Sequence, residues 1–451
     1  MSKISKAAVV LAAVLAALAP GAGFAQSGAG RTAPPTAAHP APAGAANAVG
    51  YLADSEAILR EVAGLRGLAI LRPVPSSLKS RADIEAIVLK DLAESSTPEE
   101  FATGTAFLRF LALVPPDFDL RRETVALLTE QIAGFYEPKT HYFYLADWIP
   151  IDEQRAVIAH ELTHALADQH FDLRRFEKWP DGDSDAKLAA HALIEGEATA
   201  VMLQYSLKEN GLGVDLGALP ISLTDVFKSS LGDGDGEHPV YARAPRVLKQ
   251  SLQFPYAYGV GLVQALLRDG SWKRVDRSYA APPASTEQVM HPAKYLANER
   301  PVRVDVPDVS RLLGAGWRRA DADVSGEFGY YLVLEATNGE SDAARGAAGW
   351  AGDRYGFYVN DAKQLVTYVH RSAWDSVDEA REFFNAYTRR LMKRFAITAD
   401  GGAGLDVREW PTPEGIVRVE RSGADVLVIE GYRGTAVNSL VAELWNRRPA
   451  P

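Results

Sequence analysis

The chain is 451 residues long, 47% hydrophobic and 24% charged, values that suit two or three globular domains and exclude a wholly disordered or fibrous protein. Its formal net charge is −10, and with no basic stripe to neutralise phosphates, nucleic acid is not expected as a partner. It contains no cysteine, which excludes disulfides and a lipid-bearing cysteine anchor.

The first residues place Lys3 and Lys6 before an apolar stretch from Ala7 to Ala19, then Pro20-Gly21 and the small-residue pattern Gly23-Phe24-Ala25. That is the layout of a signal peptide, residues 1–25. Its apolar run of about 13 residues is short for a span of about 20, so no stable membrane span is expected after cleavage. The implied destination is the periplasm or the medium of a bacterium. Residues 26–50 are Ala, Pro and Gly with almost no large apolar side chain, and read as a disordered tether.

From Tyr51 onward ordered elements are expected. "SEAILREVAGLRG" reads as a helix from Ser55 with a glycine stop, "LAILRPVP" as a short strand, and "SRADIEAIVLKDLAES" as an amphipathic helix. Two more helices follow near 98–113 and 119–133. In "GFYEPKTHYFYLAD", residues 134–147, aromatic runs flank a turn, which signals a hairpin. Asp152 is a candidate N-cap for the helix holding "AVIAHELTHALADQH". A second long helix covers 184–207, loop-rich sequence covers about 211–241, and helical patterns resume between Pro245 and Arg268. "SYAAPPASTEQVMHPAKYL" is punctuated by proline.

From about Val304 "GEFGYYLVLEAT", "DRYGFYVN" and "QLVTYVHRS" look like strands or buried segments. A helix starts at Ser376, and a hairpin turns around Ser422-Gly423-Ala424. The whole reads as α+β: a first ordered region over 51–303 and a C-terminal α+β region over 304–451, with no internal repeat.

His160 and His164 are four residues apart, so on a helix both imidazoles project from one face. With Glu161 they form the HExxH signature, in which two neutral imidazoles bind zinc and the carboxylate takes a proton from a water acidified by the metal. Val157, Ile158, Leu162, Ala165 and Leu166 would bury this helix. Buried histidines and a glutamate need partners, and Zn2+ is the simplest.

A catalytic zinc usually takes three protein ligands. His170 holds the last position of HExxHxxGxxH, but residue 167 is Ala where that pattern needs a left-handed glycine, and on a continuing helix His170 faces away. The better third ligand is Glu195 in "HALIEGEATA", where His191, Glu195 and Thr199 form an i, i+4, i+8 row. Glu197 points elsewhere.

HExxH on one helix and a Glu in an E-x-x-A pattern on the next resembles the gluzincin branch of the zinc metallopeptidases. The wider phrases "AGFYEPKTHYFYL", "HELTHALADQHFDL", "ALIEGEAT", "FPYAYGVGLVQALL" and "PPASTEQVMHPAKYL" resemble a peptidase-MA-like family of exported bacterial proteins. The resemblance implies a zincin-like domain over 51–303, with His160, His164 and Glu195 binding zinc and Glu161 as general base. It also implies that the edge of the hairpin at 134–147 receives an extended peptide. Thr199 stands where an acidic residue often supports a ligand histidine, and Asp168, one turn beyond His164, is a second candidate for that support.

For the developing oxyanion a His or Tyr donor would serve. His291 in "STEQVMHP" is the first candidate, with Tyr256, Tyr258 and Tyr295 competing. The reading is an exported zinc metallopeptidase acting on a peptide or protein substrate. Its rivals are a catalytically silent zinc-binding secreted protein that holds a partner in its cleft, and a zinc hydrolase of a non-peptide amide or ester.

Overall fold

The computed structural model describes residues 45–446 apart from 133, 149–150, 181, 231–237 and 399–403. The signal peptide expected at 1–25 and the tether up to residue 44 lie outside the described residues. Helix α1 (Ala45–Arg66) begins inside the stretch expected to be tether. Ala45, Ala46 and Ala48 are strong helix formers, and no proline interrupts the chain between Pro42 and Pro73, so the helix runs back through them. It stops at Gly67, whose φ of 73° suits glycine.

The segment "LAILRPVP" is not a strand. Pro73 and Pro75 supply no N–H to a ladder, so strand β1 (Ser76–Lys79) begins directly after them. Helices α2 (Arg81–Ser95) and α3 (Pro98–Phe110) start in capping boxes, Ser80 with Asp83 and Thr97 with Glu100, and α4 (Leu120–Gln131) is capped by Asp119. The hairpin forms as expected from β2 (Gly134–Glu137) and β3 (Tyr142–Ala146). In the resulting three-stranded sheet β3 is central, parallel to β1 and antiparallel to β2, which leaves β2 at the edge.

Helix α5 (Ile151–Phe171) packs on this sheet and contains Asp152 rather than being capped by it. Helix α6 (Ser184–Glu209), capped by Asp183, follows. Short helices α7 (Leu223–Ser230) and α8 (Pro239–Arg243) lead to α9 (Arg246–Gly270), which packs along α6. Next come α10 (Trp272–Ala280), α11 (Thr286–Met290) and α12 (Pro292–Leu296), with Ser285 capping α11.

After a short turn of helix, α13 (Ser310–Leu313), an antiparallel six-stranded sheet dominates. Its strands are β4 (Arg318–Asp323), β5 (Trp350–Asn360), β6 (Leu365–Trp374), β7 (Val407–Thr412), β8 (Gly415–Ser422) and β9 (Asp425–Tyr432), in the order β4-β5-β6-β9-β8-β7. Helices α14 (Gly326–Asn338), α15 (Glu340–Ala347) and α16 (Val377–Arg394) pack beside it, and α17 (Val437–Asn446) closes the described chain. "GEFGYYLVLEAT" is helical rather than a strand, and it is buried almost throughout from Gly326 to Leu334.

The chain is α+β. One hydrophobic cluster runs through both halves, joining Leu193, Phe254 and Val263 to Phe328, Trp350, Phe383 and Val428. Among the described residues no helix is long and apolar enough to cross a membrane.

Candidate metal centre

Three helices build the site. At the crossing of α6 and α9 the backbones touch: a Cβ on Gly196 would collide with the Gly259 carbonyl, and one on Gly259 would collide with the Ala192 carbonyl. Two glycines thus let α9 close on α6 beside Glu195. One turn before Gly259, the Tyr256 ring reaches the His160 imidazole, with centroids 5.9 Å apart.

The pairing of α5 with α6 brings His160, His164 and Glu195 together. His160 Nε2 lies 3.1 Å from Glu195 Oε2 and 3.1 Å from His164 Nε2, and His164 Nε2 lies 3.5 Å from the same carboxylate oxygen. His160 and Glu195 are fully buried and His164 nearly so. A ligand atom from each of His160, Glu161 and His164 also lies within 4.8 Å of the others. The two glutamates are nevertheless distinct. Glu161 Oε2 accepts the backbone N–H of Tyr136 on β2 at 2.9 Å, which ties it to the edge strand, whereas Glu195 Oε2 faces the two imidazoles.

Burial dominates the electrostatics. It pushes the His160 imidazole below its ordinary range, against the Glu195 carboxylate that raises it, and His164 adds to the lowering. Neutral imidazole is the form that ligates metal. Burial and the neighbouring Glu195 charge hold the Glu161 carboxyl well above the usual carboxylate range, with the Tyr136 N–H opposing.

These residues fit a zinc ion. Among the described residues neither buried glutamate has a Lys or Arg partner, and an uncompensated pair of buried carboxylates is costly. Glu195 Oε1, Glu161 Oε1 and His160 Nδ1 find no hydrogen-bond partner there. Two imidazole nitrogens and one carboxylate oxygen are a zinc donor set, and ligands at about 2.0–2.2 Å on a tetrahedron stand roughly 3.3–3.5 Å apart. The observed sides of 3.1, 3.1 and 3.5 Å are close to that.

The other candidates fall elsewhere. His170 Nε2 meets the Ala69 carbonyl at 2.8 Å, on the outer side of the helix. Asp168 does not support His164: its Oδ2 accepts from Arg72 Nη2 at 2.8 Å and the Tyr136 hydroxyl at 2.9 Å and lies 3.2 Å from His141 Nδ1, while its Oδ1 accepts the Leu173 N–H. Thr199 is fully buried one turn beyond Glu195, and its hydroxyl has no partner among the described residues. His191 Nε2 is 3.6 Å from Glu195 Oε1.

His291, the first candidate for an oxyanion donor, belongs to a separate cluster. Its Nε2 pairs with Glu327 at 2.8 Å, and the neighbouring Lys294 is caged by Glu287, Glu299 and Asp375. Those three carboxylates converge on the lysine ammonium, which already supplies the cation. Tyr258 takes a contact from Lys228, and the Tyr295 hydroxyl donates to the Ala281 carbonyl. Of the four named donors, Tyr256 is the one whose ring packs against a site histidine.

Sequence reasoning missed two contributors. The Tyr136 N–H is a main-chain group, invisible in a pattern of side chains. Glu197 leaves the site on the opposite face of α6, as its phase requires, but it binds buried Arg66 and the Tyr279 hydroxyl, and Arg66 also binds Asp276. That network ties α1 and α10 to α6 directly behind Glu195.

A family described as a domain of unknown function, DUF8575, matches residues 311–441, the stretch that holds the six-stranded sheet. No curated protein and no solved structure matches the chain.

Proposed function

We propose that this protein is an exported zinc-dependent peptidase of gluzincin type, its first ordered region zincin-like. His160, His164 and Glu195 would hold the metal, and Glu161 is the general base. The observation that carries the reading is the convergence of two imidazole nitrogens and a carboxylate oxygen, 3.1–3.5 Å apart, in a buried site.

Zinc, when bound there, polarises the scissile carbonyl and acidifies a water. Glu161 accepts the water's proton and passes it to the leaving amine. Its Oε2 is held by the Tyr136 N–H, which fixes the rotation of the carboxylate and leaves Oε1 for proton transfer. Tyr256, against His160, is our donor for the developing oxyanion, ahead of His291. Edge strand β2 offers main-chain groups to an extended peptide, although the Tyr136 N–H is already spent on Glu161.

The test is Glu161→Gln, which keeps size and removes the base. Zinc stoichiometry should equal that of wild type, while peptide turnover falls at least about 100-fold, the lower bound for general acid–base catalysis. Chelation of wild type should abolish turnover, and added zinc should restore it. Equal rates in the two proteins would exclude the mechanism. Zinc bound with no cleavage by either would favour the partner-binding alternative, and cleavage confined to non-peptide esters or amides would favour the other hydrolase.

A further inference from the structure

The face of α5 that carries Glu161 and His164 continues to Asp168. Residues 161 and 168 are seven apart, which on a helix is two turns, about 10.5 Å of rise and about 20° of offset. Tyr136 bridges that interval, with its N–H on Glu161 and its hydroxyl on Asp168. Asp168 in turn lines a cleft of about 610 Å³ at the C-terminal end of α5. Along the helix axis the interval from Glu161 to Asp168 matches roughly three residues of extended peptide, at about 3.3 Å per residue, while none of His160, Glu161, His164 or Glu195 lines the cleft itself.

Its lining is aromatic and charged, with three arginines and three aspartates. Phe171 stacks on Tyr279 with centroids 4.2 Å apart and planes 8° from parallel. Asp168 is matched by Arg72 and the Tyr136 hydroxyl, while Asp276 shares the single charge of buried Arg66 with Glu197. Two exposed arginines are not matched. Arg175 donates to the neutral Tyr279 carbonyl, and Arg174 makes no hydrogen bond or ion pair with a described residue. Asp172 and the partly exposed Asp276 are the opposing charges in the lining. The carbonyl end of α5 also opposes an anion, but that effect is small at exposed sites and fades within a turn.

We propose that this cleft is a specificity subsite that binds a carboxylate of the substrate two or three residues from the cleaved bond. Arg174 and Arg175 receive the charge, and the partly exposed Phe171 ring, backed by buried Tyr279, receives the apolar stem beneath it. The assignment rests on the peptidase reading above. A planar guanidinium matches a carboxylate in two parallel hydrogen bonds, which a lysine could not copy. The carboxylate has two sources, an internal Glu or Asp side chain and the free C-terminus of a short peptide.

The experiment uses zinc-loaded full-length protein. A proteome-derived peptide library first identifies sequences that wild type cleaves. One of these is then made with Glu, Gln or Lys at the second and third positions on either side of the cut, each with a free or an amidated C-terminus. The readout is the ratio of kcat/KM between matched peptides within one protein, so a general loss of activity cancels.

Wild type should favour Glu over Gln, or the free over the amidated end, by about fivefold to tenfold, as suits a charge-assisted contact open to solvent. The first preference identifies a side-chain carboxylate and the second a terminal one. In Arg174→Glu the preference should vanish and Lys should gain. Because Arg175 also holds the Tyr279 carbonyl, Arg175→Gln is a second variant, read alongside its melting temperature and zinc content. Cleavage by wild type with equal ratios throughout overturns the subsite and leaves the peptidase standing, as does a preference that survives Arg174→Glu. Failure of zinc-loaded wild type to cleave any peptide overturns both.

Discussion

Glu195 and His170 compete to be the third partner of the same two histidines, and helical phase separates them. Glu195 faces both imidazoles, whereas His170 turns outward to the Ala69 carbonyl. Glu195→Ala should therefore remove most of the bound zinc, and His170→Ala should leave the zinc content near that of wild type. Loss of zinc in the second variant alone would reverse the assignment. A second contrast concerns the oxyanion donor. Tyr256→Phe removes the hydroxyl from the ring that packs on His160 and should lower kcat about 100- to 1000-fold, the range for one lost oxyanion donor. His291→Ala breaks a pair with Glu327 and should lower the melting temperature instead, with kcat within about threefold of wild type. The reverse pattern would return His291 to the site. The motif residues were legible because i, i+4 spacing on one helix settles their common face. Which of the candidate donors stands beside His160 was not, because the approach of Tyr256 to His160 is decided by how α9 crosses α6, and no local pattern encodes that crossing.

That crossing is itself testable. Gly259 has no room for a methyl group, since its Cβ position runs into the Ala192 carbonyl. Gly259→Ala should push α9 from α6, cost about 1–3 kcal/mol as overpacking does, and weaken zinc binding at least tenfold through the displaced Glu195. Gly64, inside α1 with nothing within 4 Å of a Cβ, is the control. Gly64→Ala should raise stability by about 0.5–1 kcal/mol, the helix-propensity difference. Equal effects of the two substitutions on zinc would show that the crossing does not position the site. Element boundaries were legible wherever a side chain closes them: Ser80, Thr97, Asp119, Asp183, Ser285 and Ser376 all accept from the first helical turn. They were missed where packing outweighs pattern. The segment from 326 to 338 is apolar and buried almost continuously from Gly326 to Leu334, a pattern a buried strand shares, yet it is helical. Residues 69–72 look strand-like, yet the Gln169 side chain holds their backbone, accepting from Leu71 and Arg72 and donating back to the Arg72 carbonyl.

The composition change near residue 304 suggests two units, but the contacts across that boundary tie them together. Phe254 packs on Phe328 with ring centroids 4.2 Å apart, Phe107 stacks on Tyr355 at 5.4 Å, and Arg390 reaches the Leu111 carbonyl at 2.9 Å. Polar links repeat the pattern. The Ser184 N–H that opens α6 donates to Asp323, and Thr286 donates its hydroxyl to Asp185 while accepting the Phe328 N–H. Helix α6, which presents Glu195, is thus held at its N-terminal end by the C-terminal region. Removing residues 304–451 would expose Leu193, Phe254 and their neighbours in the shared cluster and strip α6 of those partners. A fragment of residues 51–303 is therefore expected to be insoluble or molten, binding a hydrophobic dye without a cooperative melt. The intact zinc-loaded chain should unfold in one calorimetric transition, with calorimetric and van't Hoff enthalpies in agreement, despite its length. Chelation should move that single transition downward as a whole, because metal released at α5 and α6 destabilises everything coupled to them. Two resolved transitions, or a soluble 51–303 fragment that melts cooperatively and holds zinc, would show instead that the boundary near 304 separates independent domains.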